Sequence, residues 1–210
     1  MALPVREVAP GILHWTGRHP RIAKDVSSYC LTELGILVDP LAPAEGVEWF
    51  GQQGIDPTEV WLTNRHHYRS SGEFVAAYGC AVRCHRAGLH EFSRGEPVTP
   101  FEFGDELGDG VVAHEVDAIC PEETALHLPR VLALALADGL IRVADGPVDF
   151  VPDPLIGEDP EPVKVALTAA FDRLLELDFE HLLLAHGEPV IGDGKAVLEE
   201  FVRSRSAGER

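Results

Sequence analysis

Basic residues are scarce in this sequence. Its 210 residues include 17 lysines and arginines against 35 aspartates and glutamates, so the formal net charge at pH 7 is -18. A surface of that sign repels the phosphate backbone of nucleic acids from most of its area. The composition therefore predicts that nucleic acid is not a partner.

Long apolar runs are also missing. No window approaches the length of a membrane span, and the N-terminus has no basic leader followed by an apolar stretch. We therefore expect a soluble, cytoplasmic protein without membrane attachment. The few cysteines, Cys30, Cys80, Cys84 and Cys120, are scattered without a secretory context, so we expect reduced thiols and no disulfide framework.

The length suits one large domain, which we predict over residues 1–203, with a disordered tail over residues 204–210. Short strands come first, then helix and strand alternate, and further strands follow before a last helix, strand and helix. The clearest helix is predicted over residues 161–177, where apolar residues recur at helical spacing. This order indicates an α/β fold in layers.

A cluster of polar side chains follows the buried strand predicted over residues 59–63. The sequence from 61 to 72 reads WLTNRHHYRSSG. The loop that follows the strand therefore contains Asn64, His66, His67, Tyr68 and Arg69. Loops at strand ends are common places for binding and catalytic groups. We therefore take this loop as the first candidate site.

This loop resembles the metal-binding signature of the metallo-beta-lactamase superfamily, which usually reads T-H-x-H-x-D-H-x-G-G. With the threonine and the last glycine in register, Asn64, His66, Tyr68 and Arg69 stand where the family has His, His, Asp and His. Of these four, only His66 is the residue type that the family uses as a ligand.

Four other segments extend the resemblance over about residues 5–201. The strand over residues 36–40 resembles the family's early strand that ends in an aspartate, and Asp145 falls where the family has its bridging aspartate. His186 lies in a turn similar to the late G-H-G ligand turn, and Cys120 is nearest to the place of another ligand histidine. The resemblance implies an α/β fold of the metallo-beta-lactamase type, a four-layer αββα sandwich.

The resemblance further implies a reduced metal site. Its ligands would be His66, Cys120, Asp145 and His186, and catalysis would depend on His66, Asp145 and His186. Asparagine is a weak donor, a tyrosine would have to lose a proton with a pKa near ~10, and arginine stays protonated. We therefore predict at most one divalent metal ion, zinc, iron or manganese, with Asn64, His67, Tyr68 and Arg69 around the pocket. His67 would point away from His66 on an extended segment.

Three functions stay open at this point. One is a metal-dependent hydrolase acting on an ester, thioester, lactone or amide, which is the common chemistry of the family that the chain resembles. Another is an inactive, metal-free member that binds an anionic small molecule or a protein partner. The third is a metal-free hydrolase with Cys120 as nucleophile and a histidine as base. Arg18, Arg21 and Lys24 form a basic cluster that could receive an anionic substrate. The substrate and the oligomeric state stay open.

Overall fold

The computed structural model describes residues 3–143 and 146–206. The chain divides into two compact units, Met1–Glu102 and Phe103–Arg210. Both units combine strands and helices, as the α/β prediction requires. The prediction of a single domain over residues 1–203 stays a prediction.

The first unit contains a seven-stranded sheet whose spatial order repeats the sequence order. Its strands are β1 (Arg6–Ala9), β2 (Ile12–Arg18), β3 (Asp25–Leu31), β4 (Ile36–Val38), β5 (Glu59–Trp61), β6 (Ala81–His85) and β7 (Val98–Phe101). The pairs from β1 to β4 are antiparallel, and those from β4 to β7 are parallel. The carboxyl ends of β4 and β5 therefore meet at the same edge of the sheet.

Two α-helices and two 3-10 helices connect these strands. They are α1 (Trp49–Gln52), the 3-10 helix Arg65–Tyr68, α2 (Ser71–Tyr78) and the 3-10 helix Arg86–Glu91. The apolar core beside this sheet contains three aromatic side chains that are fully or almost fully buried, Trp15, Phe50 and Phe74. Burying such a side chain contributes roughly 1.5–3 kcal/mol to folding.

The second unit contains a five-stranded sheet and a separate hairpin. The sheet strands are β8 (Glu106–Gly108), β9 (Val111–Glu115), β10 (Thr124–Leu128), β11 (Ala133–Leu136) and β14 (His181–Leu184), in the spatial order β14-β11-β10-β9-β8. The hairpin consists of β12 (Leu140–Arg142) and β13 (Val148–Phe150). Within the sheet β11 and β14 are parallel, with Leu136 opposite Leu184, and the other pairs are antiparallel.

A short 3-10 helix and three α-helices complete the second unit: Pro129–Val131, α3 (Asp153–Ile156), α4 (Pro160–Leu174) and α5 (Gly194–Ser206). The predicted helix over residues 161–177 is confirmed as α4, which has a proline at its first position, where no backbone N–H is needed. Its residues Leu167, Ala170, Phe171 and Leu174 recur at helical spacing and are buried. Val165, which also fits the apolar spacing, is instead 51% exposed.

Three further expectations can be compared with the structure. The four cysteines are buried, and none of them forms a disulfide. Helix α5 continues to Ser206, so the part of the predicted disordered tail over residues 204–206 is helical. Arg205 holds this last turn, because it pairs with Asp149 at 2.6 Å and lies over the rings of Phe150 and Phe201. Among the helices of the described residues, none has the length and apolarity needed to cross a membrane.

Candidate functional site

The loop that carries the histidine pair is a 3-10 turn. Asn64 is buried, and its side-chain oxygen accepts a hydrogen bond of 2.9 Å from the backbone N–H of His66. This bond caps the 3-10 helix Arg65–Tyr68, and a neutral amide oxygen is well suited to accept it. The asparagine at the family's first ligand position therefore has a structural role in this chain.

The turn decides which histidine points inward. The side chain of His66 is exposed, whereas His67 is 4% exposed. The expectation that His67 points away from the site assumed an extended loop, in which neighbouring side chains alternate. The 3-10 turn rotates the two side chains differently, so His67 takes the buried position at the end of β5.

His67 is held by an aspartate and a threonine from the ends of the two neighbouring parallel strands. Its Nδ1 atom lies 2.9 Å from Oδ2 of Asp39 and 3.1 Å from Oγ1 of Thr63. Thr63 also donates its backbone N–H to Oδ1 of Asp39 at 2.9 Å and its hydroxyl to Oδ2 at 2.5 Å. A carboxylate on one ring nitrogen fixes the orientation of an imidazole, as it does for many ligand and acid-base histidines.

The charge of Asp39 is set by two opposing effects. Burial favours the neutral carboxyl group, but the charge and hydrogen bond of His67, the charge of Arg69 and the hydroxyl of Thr63 together lower the pKa of Asp39 below its ordinary value. Asp39 is therefore an ionised, buried carboxylate. Its backbone φ of 49° lies in the left-handed region, which is uncommon for a residue with a side chain.

Arg69 binds the backbone behind the same aspartate. Its Nη1 atom donates to the carbonyl oxygens of Ser27, at 2.6 Å, and of Asp39, at 2.7 Å. Arg69 also has a positive φ of 42°. The guanidinium thus connects the edge of β3 to the end of β4 and supplies positive charge next to Asp39.

Tyr68, at the position of the family's aspartate ligand, is a poor metal donor here. Burial, and next the nearby charge of Glu96, raise the pKa of its hydroxyl above the ordinary value. The phenol therefore stays protonated at neutral pH. Its ring packs against Phe92 with 5.7 Å between the ring centroids.

The predicted substrate-binding residues lie at the end of β2, where Arg18 is the last residue, and in the connection to β3, which contains Arg21 and Lys24. All three side chains are exposed. Arg18 Nη1 lies 3.8 Å from Asp25 Oδ1, but this ion pair is too exposed to contribute much stability. Their role in binding stays a prediction.

In the second unit the structure brings a histidine and an aspartate together. His186 and Asp138 each follow, by two residues, the register pair Leu184 and Leu136 of the parallel strands β14 and β11. His186 Nε2 lies 3.2 Å from Asp138 Oδ1, and the two side chains are 23% and 26% exposed. This partial exposure makes both groups accessible to a small ligand or an ion.

The backbone around His186 requires the glycine that follows it. Gly187 has a φ of 92°, and a Cβ atom there would overlap the carbonyl oxygen of Arg142. The N–H of Arg142 in turn donates to the carbonyl oxygen of His186 at 3.0 Å. The ligand-like His-Gly turn is therefore packed directly on β12 and holds its histidine in one place.

The remaining predicted ligands are Cys120 and Asp145. Cys120 is 7% exposed and precedes β10, where its carbonyl oxygen accepts the N–H of Glu123 at 3.0 Å. Asp145 lies outside the described residues. Asp138 was missed by the sequence interpretation, because Ala-Asp-Gly between two apolar runs has the composition of an ordinary turn. The signal that could have identified it is the likeness of residues 136–139, LADG, to residues 184–187, LAHG.

These residues offer the donor chemistry that a divalent metal ion needs. Zinc, iron and manganese bind imidazole nitrogen and carboxylate oxygen, and His186 and Asp138 present both at one edge of the second sheet. The predicted roles of His66, Cys120 and Asp145 as ligands stay predictions.

No protein-family model and no curated protein sequence matches the chain. Solved structures do match it. A metallo-beta-lactamase family protein from Thermus thermophilus is 19% identical with a TM-score of 0.66, and the match covers 96% of this chain and 81% of that chain. The DIM-1 metallo-beta-lactamase is 14% identical with a TM-score of 0.70, covering 98% of this chain and all of that chain (100%).

A third match is a mutant flavo di-iron protein from Thermotoga maritima, 15% identical with a TM-score of 0.65 over 95% of this chain and 61% of that chain. At such low identity these likenesses establish the fold and nothing about activity. The order of strands and helices and the near-complete coverage agree with the fold class predicted from the sequence. The chain therefore has the metallo-beta-lactamase fold.

Proposed function

We propose that this chain is a divergent member of the metallo-beta-lactamase superfamily that binds at most one divalent metal ion and hydrolyses an ester, thioester, lactone or amide. The observation that carries the proposal is the His186 and Asp138 pair, two metal donors of different type held 3.2 Å apart at the ends of neighbouring parallel strands. The fold supports it, because solved proteins with this fold include metallo-beta-lactamases and a di-iron-bound protein.

His186 and Asp138 would hold the ion, and His66, Cys120 and Asp145 are the further ligands that the resemblance implies. A bound divalent ion lowers the pKa of a coordinated water to near ~7 and so supplies a nucleophile at neutral pH. Asp138 would orient that water as well as bind, since a carboxylate has more acceptor sites than one ion uses. Gly187 keeps His186 fixed by its close approach to Arg142.

The first unit offers an acid-base arrangement. Asp39 accepts from His67 and is ionised, so the imidazole is held with Nδ1 toward the carboxylate. An oriented imidazole of this kind can donate or accept a proton at its other nitrogen. We assign to His67, and not to the exposed His66, the role of the proton-transfer histidine.

A second candidate function is binding of an anionic small molecule without metal or turnover. It is favoured by Arg18, Arg21 and Lys24, which expose positive charge in a chain with a formal net charge of -18. Such a local reversal of sign attracts anions from solution.

Metal content separates the two candidates. Untagged protein purified without chelators is analysed for metal before and after incubation with zinc, iron and manganese. We expect one equivalent in the wild type and its loss, together with activity on a panel of an ester, a thioester, a lactone and an amide, in His186→Ala and Asp138→Asn.

The matched controls are His90→Ala and Asp172→Asn, which change the same residue types at exposed positions. They should retain both metal and activity. Retention of metal in both site variants would reject the assignment of the donors. A wild type that binds none of the three ions would reject the hydrolase and favour the anion-binding protein.

A further inference from the structure

Glu123 connects the two loops that carry Cys120 and Asp138. Its Oε1 atom accepts a hydrogen bond of 2.8 Å from the N–H of Gly139, which follows Asp138. Its Oε2 atom accepts one of 3.0 Å from the N–H of Ile119, which precedes Cys120. One carboxyl group therefore holds both loops from the inside, since Glu123 is only 1% exposed.

The main chain of Glu123 is fixed as firmly as its side chain. Its carbonyl oxygen accepts the N–H groups of Val116 and Asp117 at 3.1 and 3.2 Å, and its own N–H donates to the carbonyl oxygen of Cys120 at 3.0 Å. The carboxyl group thus extends from a rigid point at the start of β10. A shift of either loop would break a hydrogen bond in a buried environment, which is costly.

The space for this carboxyl group depends on the glycine at position 139. A Cβ atom at Gly139 would lie 2.8 Å from Oε1 of Glu123, 2.5 Å from Cδ2 of Leu167 and 3.3 Å from Cζ of Phe171. Only the absence of a side chain lets the backbone approach the carboxyl group so closely. The contact between Glu123 and the residue after Asp138 is therefore built into the packing of α4 on this loop.

The environment of Glu123 is also coupled electrostatically to Asp138. Burial, and to a smaller extent the charge of Asp138, raise the pKa of Glu123 to about 7, although the N–H groups of Ile119, Gly139 and Ala118 oppose the rise. The two carboxyl groups are thus near enough for one to influence the other.

We propose that Glu123 is a positioning residue that fixes the loops of Asp138 and Cys120 and thereby sets the metal affinity of the second unit. The inference rests on the proposed function, because it treats Asp138 as a donor. Groups that orient metal ligands typically change metal affinity by ~10–100-fold when they are removed.

The test compares Glu123→Gln with two controls. Glutamine keeps the shape but has one acceptor oxygen, so it can accept only one of the two N–H groups. Glu115→Gln removes the same charge from the exposed end of β9, and Leu167→Val loosens the packing around Gly139 without touching the carboxyl group. Zinc affinity is measured by competition with a chromophoric chelator, the ligand field by the absorption spectrum of the cobalt form, and stability by thermal unfolding.

We expect Glu123→Gln to weaken zinc binding by ~10–100-fold, to leave the stoichiometry unchanged and to alter the cobalt spectrum. Glu115→Gln should match the wild type, and Leu167→Val should lower the melting temperature with unchanged zinc affinity. Unchanged zinc affinity in Glu123→Gln would overturn the proposal. So would an equal loss of affinity in Leu167→Val, because the residue would then act only through stability. If Glu123→Gln does not fold, Glu123→Asp, which keeps the charge but shortens the reach, replaces it in the same comparison.

Measurements on the metal-free protein distinguish the failure of this proposal from the failure of the proposed function. If the wild type binds no metal, the proposed function fails, but the hydrogen bonds of Glu123 can still be tested from the amide resonances of Gly139 and Ile119 in the metal-free protein. We expect Glu123→Gln to shift at least one of these resonances and to speed its hydrogen exchange, with no change in Glu115→Gln. Unchanged resonances would overturn the positioning role itself.

Discussion

Asp39 in the first unit and Glu123 in the second are both buried carboxyl groups, but the groups around them differ in charge. Asp39 contacts His67 and has Arg69 nearby, and its pKa is lowered although burial acts in the opposite direction. Glu123 accepts from backbone N–H groups and feels the charge of Asp138, and its pKa rises to about 7. The comparison teaches that neighbouring charge, more than burial itself, decides whether a buried carboxyl group is ionised.

The two groups also give stability opposite dependences on pH. The lowered pKa of Asp39 stabilises the native state above the ordinary value of 3.8, and this contribution is lost as the pH falls through the native pKa. The raised pKa of Glu123 means that the native state keeps a proton that the unfolded chain releases above 4.5. Its effect is therefore a loss of stability as the pH rises from about 4.5 to about 7.

The largest expected effect comes from removing the charge of Asp39. Asp39→Asn leaves His67 and Arg69 without their buried counter-charge, and breaking such a buried pair destabilises a protein by roughly 3–5 kcal/mol. Urea unfolding at neutral pH measures the loss. Asp56→Asn, an exposed aspartate of the same unit, is the control and should change little. A loss no larger than that of the control would show that the ion pair contributes nothing.

The next largest effect is a difference in stability that should change with pH. Because Glu123→Gln cannot ionise, its stability relative to the metal-free wild type should improve between pH 5 and pH 8 by about 3 kcal/mol, the free energy that corresponds to the shift of the pKa. Urea unfolding at both pH values checks this, with Glu115→Gln as the control. A difference from the wild type that stays constant with pH would contradict the raised pKa.

A smaller effect is expected at His14, which extends the comparison to a buried base. Within the described residues neither ring nitrogen of His14 has a hydrogen-bond partner, and burial, with a smaller contribution from Arg6, lowers its pKa to about 4. His14→Leu should stabilise the protein by about 1–2 kcal/mol at neutral pH, since it removes unsatisfied polar groups.

The advantage of His14→Leu should grow as the pH falls from 6.5 to about 4, because there the unfolded wild type takes up a proton that the native imidazole does not bind. Thermal unfolding across this range provides the measurement, and His90→Leu, at an exposed position, is the control. If His14→Leu were less stable than the wild type, the unsatisfied ring nitrogens of His14 would not lower the stability as we infer.

The smallest effect is expected where a charge pair is exposed. Arg130 Nη1 lies 2.8 Å from Asp109 Oδ1, but the side chains are 53% and 46% exposed. Arg130→Ala should therefore change stability by less than ~1 kcal/mol, and salt should reduce even that difference. A loss as large as that of Asp39→Asn would contradict the idea that burial gives the charged neighbours of Asp39 their strength.

The fold could be predicted largely because it depends on periodicity and order. The strand predicted over residues 59–63 is β5. Apolar runs of strand length and the helical spacing of α4 are local signals, and the family resemblance supplied their arrangement.

The site was harder to predict because it depends on geometry that the sequence pattern does not contain. Whether His66 or His67 points inward depends on a 3-10 turn capped by Asn64, and the motif alone suggested an extended loop. Asp138 becomes a neighbour of His186 only through the register of β11 with β14. Glu123 carries no motif, and one of the two backbone N–H groups that it accepts, that of Gly139, is 16 residues away in sequence.

The order of strands in the two sheets has a consequence for the timing of folding. In the first sheet each strand pairs with its neighbour in sequence, so the sheet can grow strand by strand as the chain leaves the ribosome. In the second sheet β14 pairs with β11 only after β12, β13, α3 and α4 have been synthesised. Such a non-local pairing closes slowly. The His186 and Asp138 pair is therefore among the last contacts of the second unit to form, and under the proposed function no metal ion can be held there before His186 has been synthesised.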